Sequence, residues 1–278
     1  MSANFDLKIE NKIALITLNR PEAFNAMNRA FWNELPELVR DIDDDAKARV
    51  IVLASTGKHF TSGMDLAVFT DGEGLPAQEG DAAAKAEAFR LFVHTLQNTF
   101  SCLDEARMPV IAAVQGGCIG AGVDMVSACD IRYATEDAFF QIQEINIGMT
   151  ADVGTFPRLC KLIPEGWVRE LAYAGRRLPA AKAKEIGLVN DVFPTQAAML
   201  EHVTALANEI ATKSPVAVAG SKRIINYARD HSSADALDYI ATWQAGMFSP
   251  AHLMEAFAAK NGKREPNFPD LLPRRKQM

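Results

Sequence analysis

Residues 109–135, PVIAAVQGGCIGAGVDMVSACDIRYAT, hold the pattern that decides the fold. Val110 to Val114 is an unbroken run of branched and small apolar residues, as a strand buried on both faces requires. The glycines of QGGCIGAG turn the chain, Ala121 to Ala128 has the length of a short helix, and Ile131 to Tyr133 starts another strand. Strand, turn, helix and strand in such close succession predict an α/β body whose parallel strands are joined by right-handed crossovers.

The plan repeats on both sides. Upstream, Ile13 to Leu18 leads through the turn-rich NRPEAFNAMN (19–28) to a helix over Arg29 to Ile42. Val50 to Ala54 is a second buried strand, KHFTSGMDL (58–66) is its loop, and a long helix follows over about 82–106. Between them Phe69 to Gly80, rich in glycine and acids, reads as an exposed loop. Downstream come a short strand at Phe139 to Gln141, the irregular QEINIGMTADVGT (143–155), and helices over 155–162, 165–174 and 180–186. A strand at Leu188 to Val192 precedes helices over 196–211, 215–230 and 234–247 and a last one that Gly262 ends. The expected organisation is an α/β core over 1–195 with a helical C-terminal extension over 196–278 packing on it and in oligomer contacts.

Composition narrows the classes of function. With 278 residues, 49% of them hydrophobic and 23% charged, the chain can bury one substantial core, which excludes disorder and a disulfide-dependent miniature fold. A net charge of −6 offers no general attraction to nucleic acid or acidic lipid, and no apolar run is long enough to predict a membrane span. Cys102, Cys118, Cys129 and Cys160 form no CxxC pair, and the opening MSANFDLKIE lacks a basic cluster followed by an apolar stretch. Reduced thiols and a cytoplasmic location are the expectation.

Two loops are rich in backbone N–H groups that no large side chain shields, HFTSGMDL and QGGCIGAGVDM. Such amides suit an oxygen whose negative charge grows during reaction, although close strand and helix packing also explains the glycines. Neither GxxxxGK nor GxGxxG is present in the second loop, so ATP and NAD are not expected. Asp124 sits in the apolar VDMVSAC, either as a helix-start carboxylate or as a catalytic one. Glu144 and Asp152 flank INIGMTA among apolar residues, where desolvation favours proton transfer near neutrality; a turn-capping and a surface role are the alternatives. His59, His94, His202, His231 and His252 are scattered, no HExxH or GxSxG occurs, and no metal is expected.

Taken in order, IALITLNRPEAFNAMN, HFTSGMDL, PVIAAVQGGCIGAGVDMVSACDIRYA, FFQIQEINIGMTADVGTFPRL, GRRLPAAKAKEIGLVNDVF and AFAAKNGKREPNF resemble the enoyl-CoA hydratase and isomerase (crotonase) family over about Phe5 to Phe268. The resemblance implies a spiral of repeated ββα units with a helical C-terminal region, a homo-oligomer that is a trimer or a dimer of trimers (a hexamer), and a place in fatty-acid β-oxidation. It implies that the Met64 and Ala121 amides meet the thioester oxygen, with Ala121 standing where many relatives carry glycine. Asp124, Glu144 and Asp152 resemble the three-acid arrangement of the dienoyl-CoA isomerase branch, where a typical hydratase has glutamates at the first two positions and glycine at the third.

That likeness implies conversion of 3,5-dienoyl-CoA to 2,4-dienoyl-CoA, with Asp152 taking the C2 proton, Glu144 supplying the C6 proton and Asp124 polarising the system. Hydration or another double-bond isomerisation of an acyl-CoA is the alternative, and a non-catalytic acyl-CoA binding protein a further one. No resident cofactor is implied. Coenzyme A would be part of the substrate, held by Arg20, Ala23, Phe24, Ser62, Met64, Asp65 and Leu66, with Phe257 and Lys260 reaching in from a neighbouring subunit.

Overall fold

Strands apolar on both faces form the middle of the main sheet in the computed structural model, which describes residues 4–70 and 80–274. In chain order the first half holds β1 (Phe5–Glu10), β2 (Ile13–Leu18), α1 (Arg29–Asp44), β3 (Val50–Ser55), α2 (Ala67–Thr70), α3 (Ala82–Glu105), β4 (Val110–Val114), β5 (Gly117–Ile119) and α4 (Ala121–Ser127). The second half holds β6 (Ile131–Thr135), β7 (Phe139–Gln141), α5 (Thr155–Leu162), α6 (Glu165–Ala174), β8 (Leu178–Pro179), α7 (Ala180–Glu185), β9 (Asp191–Phe193), α8 (Gln196–Ala211), α9 (Pro215–Asp230), α10 (Ser233–Met247) and α11 (Pro250–Asn261). Most of the expected loop between Phe69 and Gly80 falls on 71–79, outside the described residues.

The main sheet runs β1-β2-β3-β4-β6-β9, with β1 antiparallel to β2 and every other pair parallel. Alternation along the central strands divides the core in two. Ile51, Leu53, Val110, Ala112 and Val114 face the large core with Phe31, Leu35 and Phe100 of α1 and α3. Val50, Val52, Ala54, Ile111, Ala113 and Tyr133 face Met199, Val203 and Ala207, which share one side of α8 at helical spacing.

A second row of pairing lies beside this sheet and builds the spiral of ββα units. β5, β7 and β8 form a small sheet, and single parallel bridges at Thr61 with Cys118 and Met27 with Met64 continue it toward the first unit. Several short elements differ from the sequence reading: α2 and β8 are additional, the strand expected over Leu188 to Val192 is β9 at Asp191–Phe193, and β1 and β5 are strands as well. In β1 only Phe5 is buried, and pairing to β2 through the left-handed Asn11 and Lys12 defines the strand. GlyCysIle at 117–119, expected as turn, is a strand, because glycine there admits the His59 and Phe139 rings close to the backbone.

The chain beyond α11 is tied back to the sheet. Arg49 reaches Asp270 at 2.7 Å and donates to the carbonyls of Ala211 at 2.8 Å and Phe268 at 2.6 Å. Lys12 adds a second ion pair to Asp270, and Phe268 is buried beside His252. Arg49→Met is expected to lower unfolding free energy by about 2 kcal/mol and to open the basic sites at 263–274 to trypsin, read by urea unfolding and limited proteolysis. Unchanged cleavage in the variant contradicts this tether.

Candidate active site

Three segments far apart in sequence are laced together above the second row of strands. Asn25 donates to the carbonyls of Thr56 and His59, and the Thr61 hydroxyl donates to the Asn25 carbonyl at 2.7 Å. Ser62 N–H donates to the Phe24 carbonyl at 3.0 Å, so the first turn and the 58–66 loop move as one body. On the other side Gly117 N–H donates to His59 Nδ1 at 2.9 Å, which fixes the His59 proton on Nε2. Burial holds His59 below its ordinary value, followed by repulsion from Lys58 and Arg177, in keeping with that neutral ring.

This lacing aims the two candidate amides. Met27 N–H donates to the Gly63 carbonyl and Asp65 N–H to the Met27 carbonyl, so the Met64 amide between them points away from Met27. Ala121 is the first residue of α4, where an N–H has no partner within its helix. Gly63, at φ +87°, brings the loops together: a Cβ there would stand 2.7 Å from the Ile119 carbonyl oxygen and 3.4 Å from the Ala121 nitrogen. Only glycine allows that approach.

The acids gather around the same turn. Asp124 lies three residues beyond Ala121 on α4, fully buried, and its Oδ1 accepts the Thr155 N–H at 2.6 Å. Glu144 comes from a 3-10 turn over Glu144–Ile147; a Cβ on Gly120 would stand 3.1 Å from its Oε1, so the carboxyl hangs over the glycine turn. Asp152 precedes α5 and keeps an exposed edge. Its backbone is held from α3, with Gln97 donating to the Asp152 carbonyl at 2.7 Å and Arg158 joining the neighbouring Val153 carbonyl to the Ser101 hydroxyl.

All three carboxyls titrate above their ordinary range. Burial is the first cause for each; for Asp124 the charges of Glu144 and, more weakly, Asp152 add to it and move it up to about 7, while Thr155 opposes the rise. Glu144 is raised by burial and by Asp152, and Asp152 by burial. Because the fold raises Asp124, its cost is absent below about 3.8, builds up between about 3.8 and about 7 and is complete above that. Asp124→Asn is therefore expected to be more stable than the parent at pH 8, by up to about 4 kcal/mol, with most of the difference gone at pH 5. Thermal unfolding at both pH values checks this, and equal differences at the two contradict it.

The structure brings Arg20, Ala23, Phe24, Ser62, Met64, Asp65 and Leu66 into one rim. Arg20 closes the first turn, its guanidinium donating to the Ala26 carbonyl and its backbone N–H to Asn25 Oδ1, which leaves the Phe24 ring exposed beside His59. Phe257 and Lys260 are exposed on α11, whose side-chain bonds run to Ser214 through His252 and to Arg264 through Glu255, away from this rim. One chain does not bring them to the site. Thr155, Gln97 and Asn25 were not singled out from sequence; the only local signals are the helix start after Gly154 for Thr155 and the turn for Asn25.

A family profile described as enoyl-CoA hydratase/isomerase matches residues 8–271. Over 251 residues, 90% of this chain and 76% of the relative, the sequence is 47% identical to the mitochondrial Delta(3,5)-Delta(2,4)-dienoyl-CoA isomerase of Mus musculus. It is 37% identical over 262 residues to the peroxisomal protein of that name from Arabidopsis thaliana, covering 94% of both. A crystal structure of enoyl-CoA hydratase from Bacillus anthracis shares the fold with a TM-score of 0.84 at 28% identity, over 95% of this chain and 98% of that one. The names of the two isomerases overturn the cytoplasmic expectation, since they are mitochondrial and peroxisomal. Free thiols report a reducing interior and do not identify the organelle.

Proposed function

The chain belongs to the enoyl-CoA hydratase/isomerase family, and from that membership and its dienoyl-CoA isomerase relatives we infer an isomerase that converts 3,5-dienoyl-CoA to 2,4-dienoyl-CoA in fatty-acid metabolism. The observation that carries the chemistry is the set of three carboxyls, each raised in pKa, around the start of α4, where Gly63 brings the Met64 loop against Ala121. A 3,5-dienoyl thioester must lose a proton at C2 and gain one at C6, four bonds away, which suits two separate groups.

In this reading the Asp152 carboxylate takes the C2 proton, and the electron pair of the broken C–H bond spreads over a dienolate ending on the thioester oxygen. The Met64 and Ala121 amides receive that oxygen, and each such donor is worth about 3 kcal/mol when aimed at the developing charge. Glu144, protonated at the outset, forms the new C6–H bond, and Asp124 polarises the chain between them. Asp152 ends protonated and Glu144 ionised; exchange through solvent restores both.

Coenzyme A enters as the handle of the substrate, with no resident cofactor in the scheme. The laced rim from Arg20 to Leu66 supports its place, with the exposed Phe24 as an apolar surface for it. Phe257 and Lys260 then serve a neighbouring subunit in a trimer or dimer of trimers. One chain exposes 14634 Å², against roughly 11,800 Å² expected for a compact monomer of its mass. Leu237, Met254 and Phe257 are among the exposed apolar side chains of the C-terminal helices.

The test is product analysis on two substrates offered separately. A 3,5-dienoyl-CoA is expected to give an isobaric product with conjugation extended to the thioester, and a 2-enoyl-CoA to gain little or no water. Rapid hydration of the 2-enoyl-CoA with no change in the dienoyl-CoA overturns the reading.

A further inference from the structure

Thr155 is a residue that the scheme above does not use. It opens α5, its side chain is buried, and its N–H makes the short bond to Asp124 Oδ1 at 2.6 Å. Its hydroxyl stands beside the same carboxyl out of hydrogen-bond alignment. Among the described residues Thr155 Oγ1, Asp124 Oδ2 and Glu144 Oε2 are buried polar atoms without a hydrogen-bond partner. Burying an unpaired hydroxyl costs free energy that a valine in the same volume avoids. Its place beside a carboxyl, with a donor from the same residue already engaged, points to a use in one ionisation state.

We propose that Thr155 is a positioning residue that decides how Asp124 and Glu144 share a proton. The groups facing Asp124 are Glu144 from the 3-10 turn, Asp152 from the segment before α5, and the Cys118 thiol of β5. None is a cation, so the anion on Asp124 depends on dipolar donors. Two neighbouring buried carboxyls do not both ionise cheaply, and their protons are shared. Each donor from Thr155 favours the carboxylate on Asp124 and so shifts the shared proton toward Glu144. That is the acid assigned to C6, so the catalytic consequence rests on the isomerase reading; the ionisation of Asp124 does not.

Thr155→Val keeps the volume and the N–H and removes only the hydroxyl, Thr155→Ala is a second hydroxyl-free variant, and Thr155→Ser restores the donor. Asp124 is titrated by the carboxyl stretch in infrared difference spectra, each protein being compared with its Asp124→Asn counterpart. The midpoint is expected to rise by about one pH unit in the valine and alanine variants, a tenfold change in proton affinity, and to return toward the parent in the serine variant. In D₂O the hydroxyl-free variants should keep C2 exchange while C6 deuteration falls about tenfold. An unmoved infrared midpoint overturns the proposal. Failure of the parent protein to convert a 3,5-dienoyl-CoA overturns the isomerase reading instead and leaves the infrared result to decide the role of Thr155.

Discussion

Asp152→Asn should abolish both isomerisation and exchange of the C2 hydrogens, whereas Glu144→Gln should abolish isomerisation alone. The expected fall in kcat is about 10³-fold for each, the middle of the range for a positioned acid or base. The split follows from placement: Asp152 is the more exposed acid, held through its backbone by Gln97, and Glu144 hangs over the Gly120 turn. Without the base no dienolate forms. Without the acid the dienolate forms and returns to C2, so deuterium still enters there. Exchange retained in Asp152→Asn and lost in Glu144→Gln would reverse the two assignments, and turnover near the parent level in both would remove these carboxyls from the reaction.

Gly63→Ala carries the second large effect, at a position that offers no side chain to the reaction. A Cβ there meets the Ile119 carbonyl at 2.7 Å and presses toward the Ala121 nitrogen, so the loop bearing Met64 must back away from α4. Loss of alignment of one amide should lower kcat by about 10²- to 10³-fold with a smaller change in KM. Alanine at φ +87° also costs stability, so folding is checked by thermal unfolding. Ala121→Gly is the control, because it leaves the amide in place and relaxes only the helix start, at about 1 kcal/mol. A Gly63→Ala enzyme with parental kcat contradicts the assignment of these two amides.

What could be read from the chain divides along physical lines. VIVLA and VIAAV are buried on both faces and announce β3 and β4, because a continuous apolar run has few other uses in an α/β body. The starts of α8 and α9 are equally plain, with Thr195 and Ser214 accepting the N–H of the residue three places on. β1, FDLKIE, carries the alternation of a strand although only Phe5 is buried, and the bridges at Thr61 and Met27 are single residues with no periodicity at all. The acids were visible because each sits in an apolar context, yet the bond that holds Asp124 comes from Thr155 across a separation only the folded chain closes. Glu144 reaches over Gly120 by the same kind of long-range closure.

The most direct measurement is one turnover of a 3,5-dienoyl-CoA by the unmodified protein in D₂O, with the product resolved by mass and by NMR at each carbon. The account predicts a 2,4-dienoyl-CoA that carries solvent deuterium at C6, formed without addition of water. A hydroxyacyl product, or a 2,4-dienoyl product without deuterium at C6 when Glu144 has equilibrated with solvent, would contradict two-site proton transfer by these carboxyls.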